Sequence, residues 1–460
     1  MNIMFWDLSL LVLFILLSGF FLYKKRNKVK REGSLWLYHT KWGLKLIEKT
    51  GKKHKRLINL LSYVSVFIGY LLMILIVYMF IKIVLVYVFH PGNLSSKVPP
   101  IMPLIPYLPQ IFKINSLPPF YFSYWIIILA IIAVTHEFFH GIFASAKGIK
   151  TKTTGFGFFP FFLPAMPLAF VNLDEKKMEK SKNFSQRSVL SAGTFANILT
   201  TILALLLMWG FFSLTYSPAG VVYNDYAYNS VNLNSIYVNG IPISKINSTL
   251  NLPHNSIVSG NTTYYALKQI QGNNALLYYN SPAIKSNLSG AIMAINNKKV
   301  TSLSSLSSIL SKYKPNQVIN ITSFNGNSYK TIPLTLKASP LNNSQAWIGI
   351  VFANTKSMNS FQKFLFFFSS YKNPNVYYKP SSGAATFGYE FLWWLMIISL
   401  SVALINMVPV GIFDGGRFFY LTVLKITKSK KIAEKSFKYI TQFFLFLLIV
   451  MTVFWAITLF

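Results

Sequence analysis

At 460 residues the chain has room for several membrane spans and one soluble domain, and its make-up, 53% hydrophobic and 17% aromatic against 12% charged, is that of an integral membrane protein. Cysteine is absent, which excludes disulfides, thiolate nucleophiles and cysteine-based metal sites, so any metal must rest on His, Asp or Glu. A formal charge of +33 would suit a nucleic-acid binder, but no nucleic-acid module accompanies the basic residues, so no nucleic-acid partner is expected.

Apolar runs near 4–23, 57–89, 124–146, 187–213, 387–411 and 437–460 each meet the roughly 20 residues that a crossing helix needs and predict six spans. The first lacks a basic stretch before it and is followed by a charge cluster, so it reads as an uncleaved anchor rather than a signal peptide. Thirteen Lys and Arg lie between Lys24 and Arg56, eight between Lys147 and Arg187, and seven between Arg417 and Lys438. The positive-inside rule makes these three clusters cytoplasmic, which leaves both termini, the loop 91–123 and the long segment 217–388 outside. The second run is long for one crossing; either Lys82 snorkels or the helix continues past the lipid.

The third run contains His136-Glu137-Phe138-Phe139-His140. HExxH sets two imidazoles on one face of a helix, beside a carboxylate able to activate a metal-bound water, which is hydrolase chemistry. Burying two His and a Glu in hydrocarbon is costly, so their position asks for a functional reason. Next comes the stretch 155–171, GFGFFPFFLPAMPLAFV, interrupted by Gly155, Gly157, Pro160, Pro164 and Pro167. These residues exclude a regular crossing helix there; a loop lying on the membrane is one reading.

The segment 217–388 is soluble in character, rich in Asn, Ser, Tyr and Gly, with thirteen Lys and the single acid Asp225. Asn-x-Ser/Thr triplets at Asn247, Asn261, Asn287, Asn320 and Asn342, and at Asn93 in the first outer loop, give modest support to an exterior location. Within it, 290–297 reads as a strand entering a turn, Leu303, Leu306, Ile309 and Leu310 recur at helical spacing, and 318–321 and 331–336 read as strands around the turn Asn325-Gly326-Asn327. That order looks like a PDZ domain of the bacterial type, best matched over 281–337. A weaker echo at 235–243 is either a degenerate second copy or part of one domain split by an insertion; a generic small β-rich domain is the alternative. PDZ domains bind extended peptides by strand addition, which implies a peptide partner here. The aromatic stretch 361–369, FQKFLFFFS, suits an interfacial anchor.

A zinc hydrolase needs three protein ligands and an open position. Of the six histidines, His39 and His54 fall in a cytoplasmic loop and His90 and His254 outside, so none is placed to join His136 and His140. Among the eleven acids, Asp414, at the inner end of the fifth span, is favoured as third ligand by elimination, with Asp174 a lesser candidate. Asp414 sits in 406–417, NMVPVGIFDGGR, where Pro409 frees backbone groups and Gly415-Gly416 permits a sharp turn.

HExxH in one span, NxxPxxxxDG in a later one and a PDZ-like segment between them resemble the site-2 protease family of intramembrane zinc metalloproteases. The resemblance extends over 125–197 and about 391–420. It implies one Zn2+ per chain bound by His136, His140 and Asp414, with Glu137 as catalytic acid/base, and a single-span membrane protein as substrate. It also implies that 155–171, with Gly155 and Gly157, forms a re-entrant hairpin near the site, that Asn197 of Gly193-Thr194-Phe195-Ala196-Asn197 faces the cleft, and that Asn406 and Pro409 belong to that cleft. For Asn197 and Asn406 an interhelical hydrogen bond is the alternative.

The expected fold is a polytopic α-helical membrane protein of about six spans, with a re-entrant β-hairpin-like segment and an inserted extracytoplasmic, β-rich, PDZ-like domain, located in the cell membrane. Its expected parts are a two-span accessory region with a basic cytoplasmic loop (1–120), the first half of the catalytic core (121–215), the PDZ-like region (216–355, with 218–280 as degenerate copy or insertion), an interfacial linker (356–386) and the second half of the core with the last span (387–460). The competing functions are a catalytically inactive PDZ-bearing membrane scaffold, another class of HExxH membrane metalloprotease, and a proton-coupled transporter.

Overall fold

A computed structural model describes residues 3–32, 35–89, 102–114, 117–158, 167–243, 257–353 and 371–457. The chain divides into two compact units, one built from Met1–Gly210 with Phe387–Phe460 and the other from Phe211–Thr386.

The first unit is helical. Its main helices are α1 (Ile3–Lys25), α2 (Leu44–Lys53), α3 (Lys55–Phe89), α4 (Phe122–Ala146), α5 (Asn183–Thr215), α6 (Gly383–Asn406), α7 (Asp414–Thr427) and α8 (Lys430–Ile457). Among the described residues α1, α3, α4, α5, α6 and α8 are the six helices long and apolar enough to cross a membrane. The long second run is one unbroken helix of 35 residues. Small residues let these helices approach closely: Ser65 on α3 meets Ser191 on α5 through a 2.7 Å hydroxyl contact, and a Cβ on Gly69 would lie 3.1 Å from Ser191 Cβ. Phe143, Ala144, Ala192, Phe195, Ala403, Met407, Phe418 and Phe444 fill the space between α4, α5, α6, α7 and α8.

The N-terminal end of α4 is capped by α1. Asp7, 6% exposed, accepts hydrogen bonds from the Phe122 and Ser123 amides at 2.6 and 3.0 Å and from the Tyr107 hydroxyl at 2.6 Å. A carboxylate from one helix thus caps the orphan amides of another. The C-terminal end of α4 is braced by α2: Ile47 is fully buried, and a Cβ on Gly141 would lie 2.9 Å from Ile47 Cγ2.

The fifth span departs from its expected limits. The run 387–411 predicts a helix reaching almost to Asp414, whereas α6 spans Gly383–Asn406, and Asp414 opens a separate helix, α7. Pro409 has no amide to continue the ladder. The chain instead turns through Met407 N–H to Leu404 O and Val408 N–H to Ile405 O, both 3.0 Å. Gly415 and Gly416 press on that turn, where a Cβ would collide with the backbone of Met407 and of Val410.

A four-stranded antiparallel sheet completes this unit, in the order β1 (Val29–Glu32), β2 (Leu35–Thr40), β3 (Thr151–Phe158), β4 (Pro167–Leu173). The glycine- and proline-broken stretch supplies β3 and β4, with Gly155 opposite Phe170. Residues 159–166 lie outside the described residues. The accessory region supplies the other half, since Tyr38 of β2 pairs with Phe156. A Cβ on Gly155 would strike the Tyr38 carbonyl and the Phe170 ring, so glycine there lets the strands close. Among the described residues β4 pairs with β3 alone and no strand pairs with its other edge.

The second unit holds two β-rich cores. One gathers Val221, Ile292, Ile295, Leu306, Ile319, Ile321 and Leu334 beneath a sheet ordered Tyr329–Thr335, Val318–Phe324, Ala291–Ile295, Tyr216–Val221, Val376–Pro380. The helix Leu303–Leu310 packs there and starts at a capping box between Ser302 and Ser305. The other core, Ile236, Val238, Ile243, Ile257, Tyr264, Ala275 and Leu277, lies within a separate six-stranded sheet drawn from residues 228–279. The strand Val376–Pro380 comes from the segment expected to be a linker; the proposed anchor at 361–369 lies outside the described residues.

Candidate metal centre

Four residues apart on α4, His136 and His140 fall on the same helix face, and both are buried, 8% and 9% exposed. Their Nε2 atoms approach to 3.0 Å. Asp414, in the first turn of α7, turns its carboxylate toward them, with Oδ2 3.3 Å from His136 Nε2 and 3.2 Å from His140 Nε2. Among the described residues these three form the group of His, Asp or Glu able to hold a metal ion.

The triangle tests metal fit directly. An ion bonding N and O donors at about 2.0–2.1 Å in a tetrahedron sets those donors about 3.4 Å apart, and the three separations here are close to that value. Three donors leave one position open, and they line a cavity of about 380 Å3 that Glu137 also faces.

Three residues of α5, spaced by four, fit the centre from the other side. The Val189 carbonyl stands 2.7 Å from His140 Nδ1 and accepts its proton, which leaves the Nε2 lone pair free. The Asn197 Nδ2 lies 3.1 Å from His136 Nδ1, and a half-turn of this amide would bring the buried Oδ1 there to accept from the ring as the Val189 carbonyl does. Between them Gly193 contributes no side chain: a Cβ there would lie 2.5 Å from both Nε2 atoms. The glycine keeps open the volume that an ion would need.

Glu137 is held from the sheet. The Val171 amide of edge strand β4 donates to its Oε2 at 2.9 Å. A carboxylate, a donor triad able to hold a metal and residues Val171, Asn172 and Leu173 of the edge strand therefore line one cavity, a set of parts suited to hydrolysing an extended amide.

The other residues singled out from sequence take distinct places. Asn406 lines the cavity, whereas Pro409 is buried in the turn before α7. Gly155 and Gly157 lie in β3, the strand behind the edge strand. Asn197 is fully buried behind His136. Asp174 is not brought to the centre; it caps the short helix Glu175–Lys180 and lies 3.9 Å from Lys152. Sequence reasoning missed Val171, Val189 and Arg417. The first two act through backbone atoms, which side-chain patterns do not report, but Arg417 follows Asp414 by one helical turn and was visible at that spacing.

The model of Peptidase family M50 matches residues 124–451, the portion that carries every part of this centre. An uncharacterized protein of Methanocaldococcus jannaschii is 30% identical over 203 residues, covering 42% of this chain and 49% of that protein. The match thus spans about half the length of this curated relative.

Proposed function

The chain belongs to peptidase family M50, the site-2 protease family, and from that premise we propose that it is an intramembrane zinc metalloprotease that hydrolyses peptide bonds of single-span membrane proteins within or near the membrane, in regulated intramembrane proteolysis. The observation that carries this reading is the triangle of His136, His140 and Asp414 with Glu137 beside it, set among helices apolar enough to cross a bilayer.

His136, His140 and Asp414 hold one Zn2+ in this proposal, and the ion when bound supplies Lewis acidity that makes a water nucleophilic near neutral pH and polarises the scissile carbonyl. Glu137 would take a proton from the attacking water as the water oxygen bonds to the carbonyl carbon, and would give that proton to the leaving nitrogen as the C–N bond breaks. The Val171 N–H orients Glu137, and the Val189 carbonyl and Asn197 amide orient the two imidazoles. A substrate helix hides its amide groups in its own hydrogen bonds; the open edge of β4 offers replacements for them once the segment is extended.

The basic loops are cytoplasmic in this proposal and the second unit extracytoplasmic, in the cell membrane. That unit is read as PDZ-like, and a groove of about 320 Å3 between the helix Leu303–Leu310 and residues 345–352 is where an extended peptide would dock.

The test is zinc content and cleavage of a reconstituted single-span protein, comparing the wild type with Glu137→Ala. Zinc in both and cleavage only by the wild type are expected. An Ala variant cutting as fast as the wild type overturns the proposal, and zinc-loaded wild type that binds but never cuts marks a scaffold. Zinc retained at full affinity without Asp414 would point to a different HExxH class.

A further inference from the structure

Arg417 is three residues past Asp414 on α7 and lines the same cavity as His136, Glu137 and Asp414. It is partly buried, yet among the described residues its side chain makes neither a hydrogen bond nor an ion pair. The acids lining that cavity are Glu137, Glu175 and Asp414. Glu137 is engaged with the Val171 amide and Asp414 with the two imidazoles, so neither neutralises the guanidinium. Among the described residues Glu175 forms no ion pair either.

A permanent cation that lines this cavity with no side-chain partner among the described residues is available to an anionic group entering it. Membrane-surface anchoring does not explain it, because Arg417 faces the cavity while Lys425 and Lys430 further along are exposed. Five donors in a planar fork match a carboxylate with two parallel hydrogen bonds. An extended chain advances about 3.3 Å per residue, so a group within about two residues of a scissile bond at the metal centre falls in the same cavity as Arg417.

We propose that Arg417 is a specificity determinant that binds a carboxylate of the substrate chain next to the cut. That carboxylate is either an Asp or Glu side chain beside the scissile bond or the α-carboxylate that hydrolysis creates. The assignment rests on the protease reading above.

The test uses the full chain in lipid nanodiscs. The cut in a single-span substrate is first mapped with the wild type, and binding is then measured in a Glu137→Gln background so that peptides stay intact. One arm compares single-span peptides carrying Glu, Gln or Lys at the two positions on either side of the cut. The second compares peptides ending at the cut as free carboxylate or as carboxamide. In one arm or the other, the carboxylate form binds about tenfold more tightly than its neutral counterpart, the scale of a charge-assisted hydrogen bond. Arg417→Gln brings that ratio to about one, Arg417→Lys keeps its direction, and Arg417→Glu reverses the preference between Glu and Lys peptides. A preference confined to the first arm assigns the side chain, and one confined to the second assigns the product terminus. Binding with ratios that Arg417→Gln does not change overturns the role of Arg417 alone. Failure of the wild type to cut, or of any peptide to bind, overturns the protease reading together with it.

Discussion

The Val171 amide and the Glu137 carboxylate are joined by a 2.9 Å hydrogen bond. One partner lies on the open edge of a sheet and the other on the helix that carries two histidine donors, so this bond sets the depth of the edge strand against the centre. Any chain that adds to β4 is thereby placed in register with the carboxylate proposed as base.

Removing that amide tests its role. Val171→Pro deletes the donor at an edge position, where proline is tolerated. A hydrogen bond to a charged group contributes about 1.5–3 kcal/mol, so cleavage is expected to fall at least about tenfold with zinc content unchanged. Val171→Ala keeps the amide and most of the rate. Equal rates in the two variants would remove Val171 from the mechanism.

In the proposed mechanism Gly193 and Asn197 act on metal binding rather than on the chemistry. Gly193→Ala places a methyl 2.5 Å from both Nε2 atoms, so the imidazoles must move apart to admit it and zinc occupancy is expected to collapse. Asn197→Leu removes the support behind His136 and should weaken zinc about 10–100-fold, a common cost of losing such a partner. Metal analysis after dialysis against a graded chelator reads both, and full zinc in Gly193→Ala would show that the site opens elsewhere.

Asp7→Ala strips the cap from α4 and leaves the Phe122 and Ser123 amides unpaired. Stability is expected to drop by about 2 kcal/mol, the sum of modest costs for a lost cap and unsatisfied donors. Denaturant or thermal unfolding in detergent measures it; no change would mean that water or Tyr107 replaces the carboxylate.

Lys372, in the second unit, is pushed down to about 8 by burial, with its ammonium 4.8 Å from the Phe212 ring centre. Since the unfolded chain keeps the ordinary value of 10.5, it binds more protons than the folded one between about pH 8 and 10.5. Stability from this group therefore rises with pH across that window. Lys372→Met should flatten the rise, seen as a smaller gain in Tm from pH 7.5 to 9.5 than in the wild type; equal gains would exclude it.

Much of the centre was legible because the chain is so poor in candidates. With two histidines in one span, only an acid at similar depth remained, and the structure brings Asp414 to within 3.3 Å of both. Apolar length alone revealed six long helices, since hydrocarbon leaves a helix few alternatives. The limits of the fifth helix were misplaced because hydropathy continues past Pro409, whereas backbone hydrogen bonding does not. The strands of the accessory region escaped notice for another reason. Lys30 and Arg31 of β1 read as loop charge, and the pairing of β2 with β3 joins residues more than a hundred positions apart. Val376–Pro380 was hidden likewise, its partner being Tyr216–Val221. Such pairings are tertiary, and no local pattern encodes them.

The same long-range assembly orders events on the ribosome. β1 and β2 leave the exit tunnel first but cannot be covered until β3 has followed α4, and β4 closes the sheet later still. The two imidazoles then wait while the second unit is made, because Asp414 is translated 274 residues after His140. A nascent chain therefore carries an incomplete donor set until Asp414 has been synthesised, and the hydrolysis proposed above cannot begin before then.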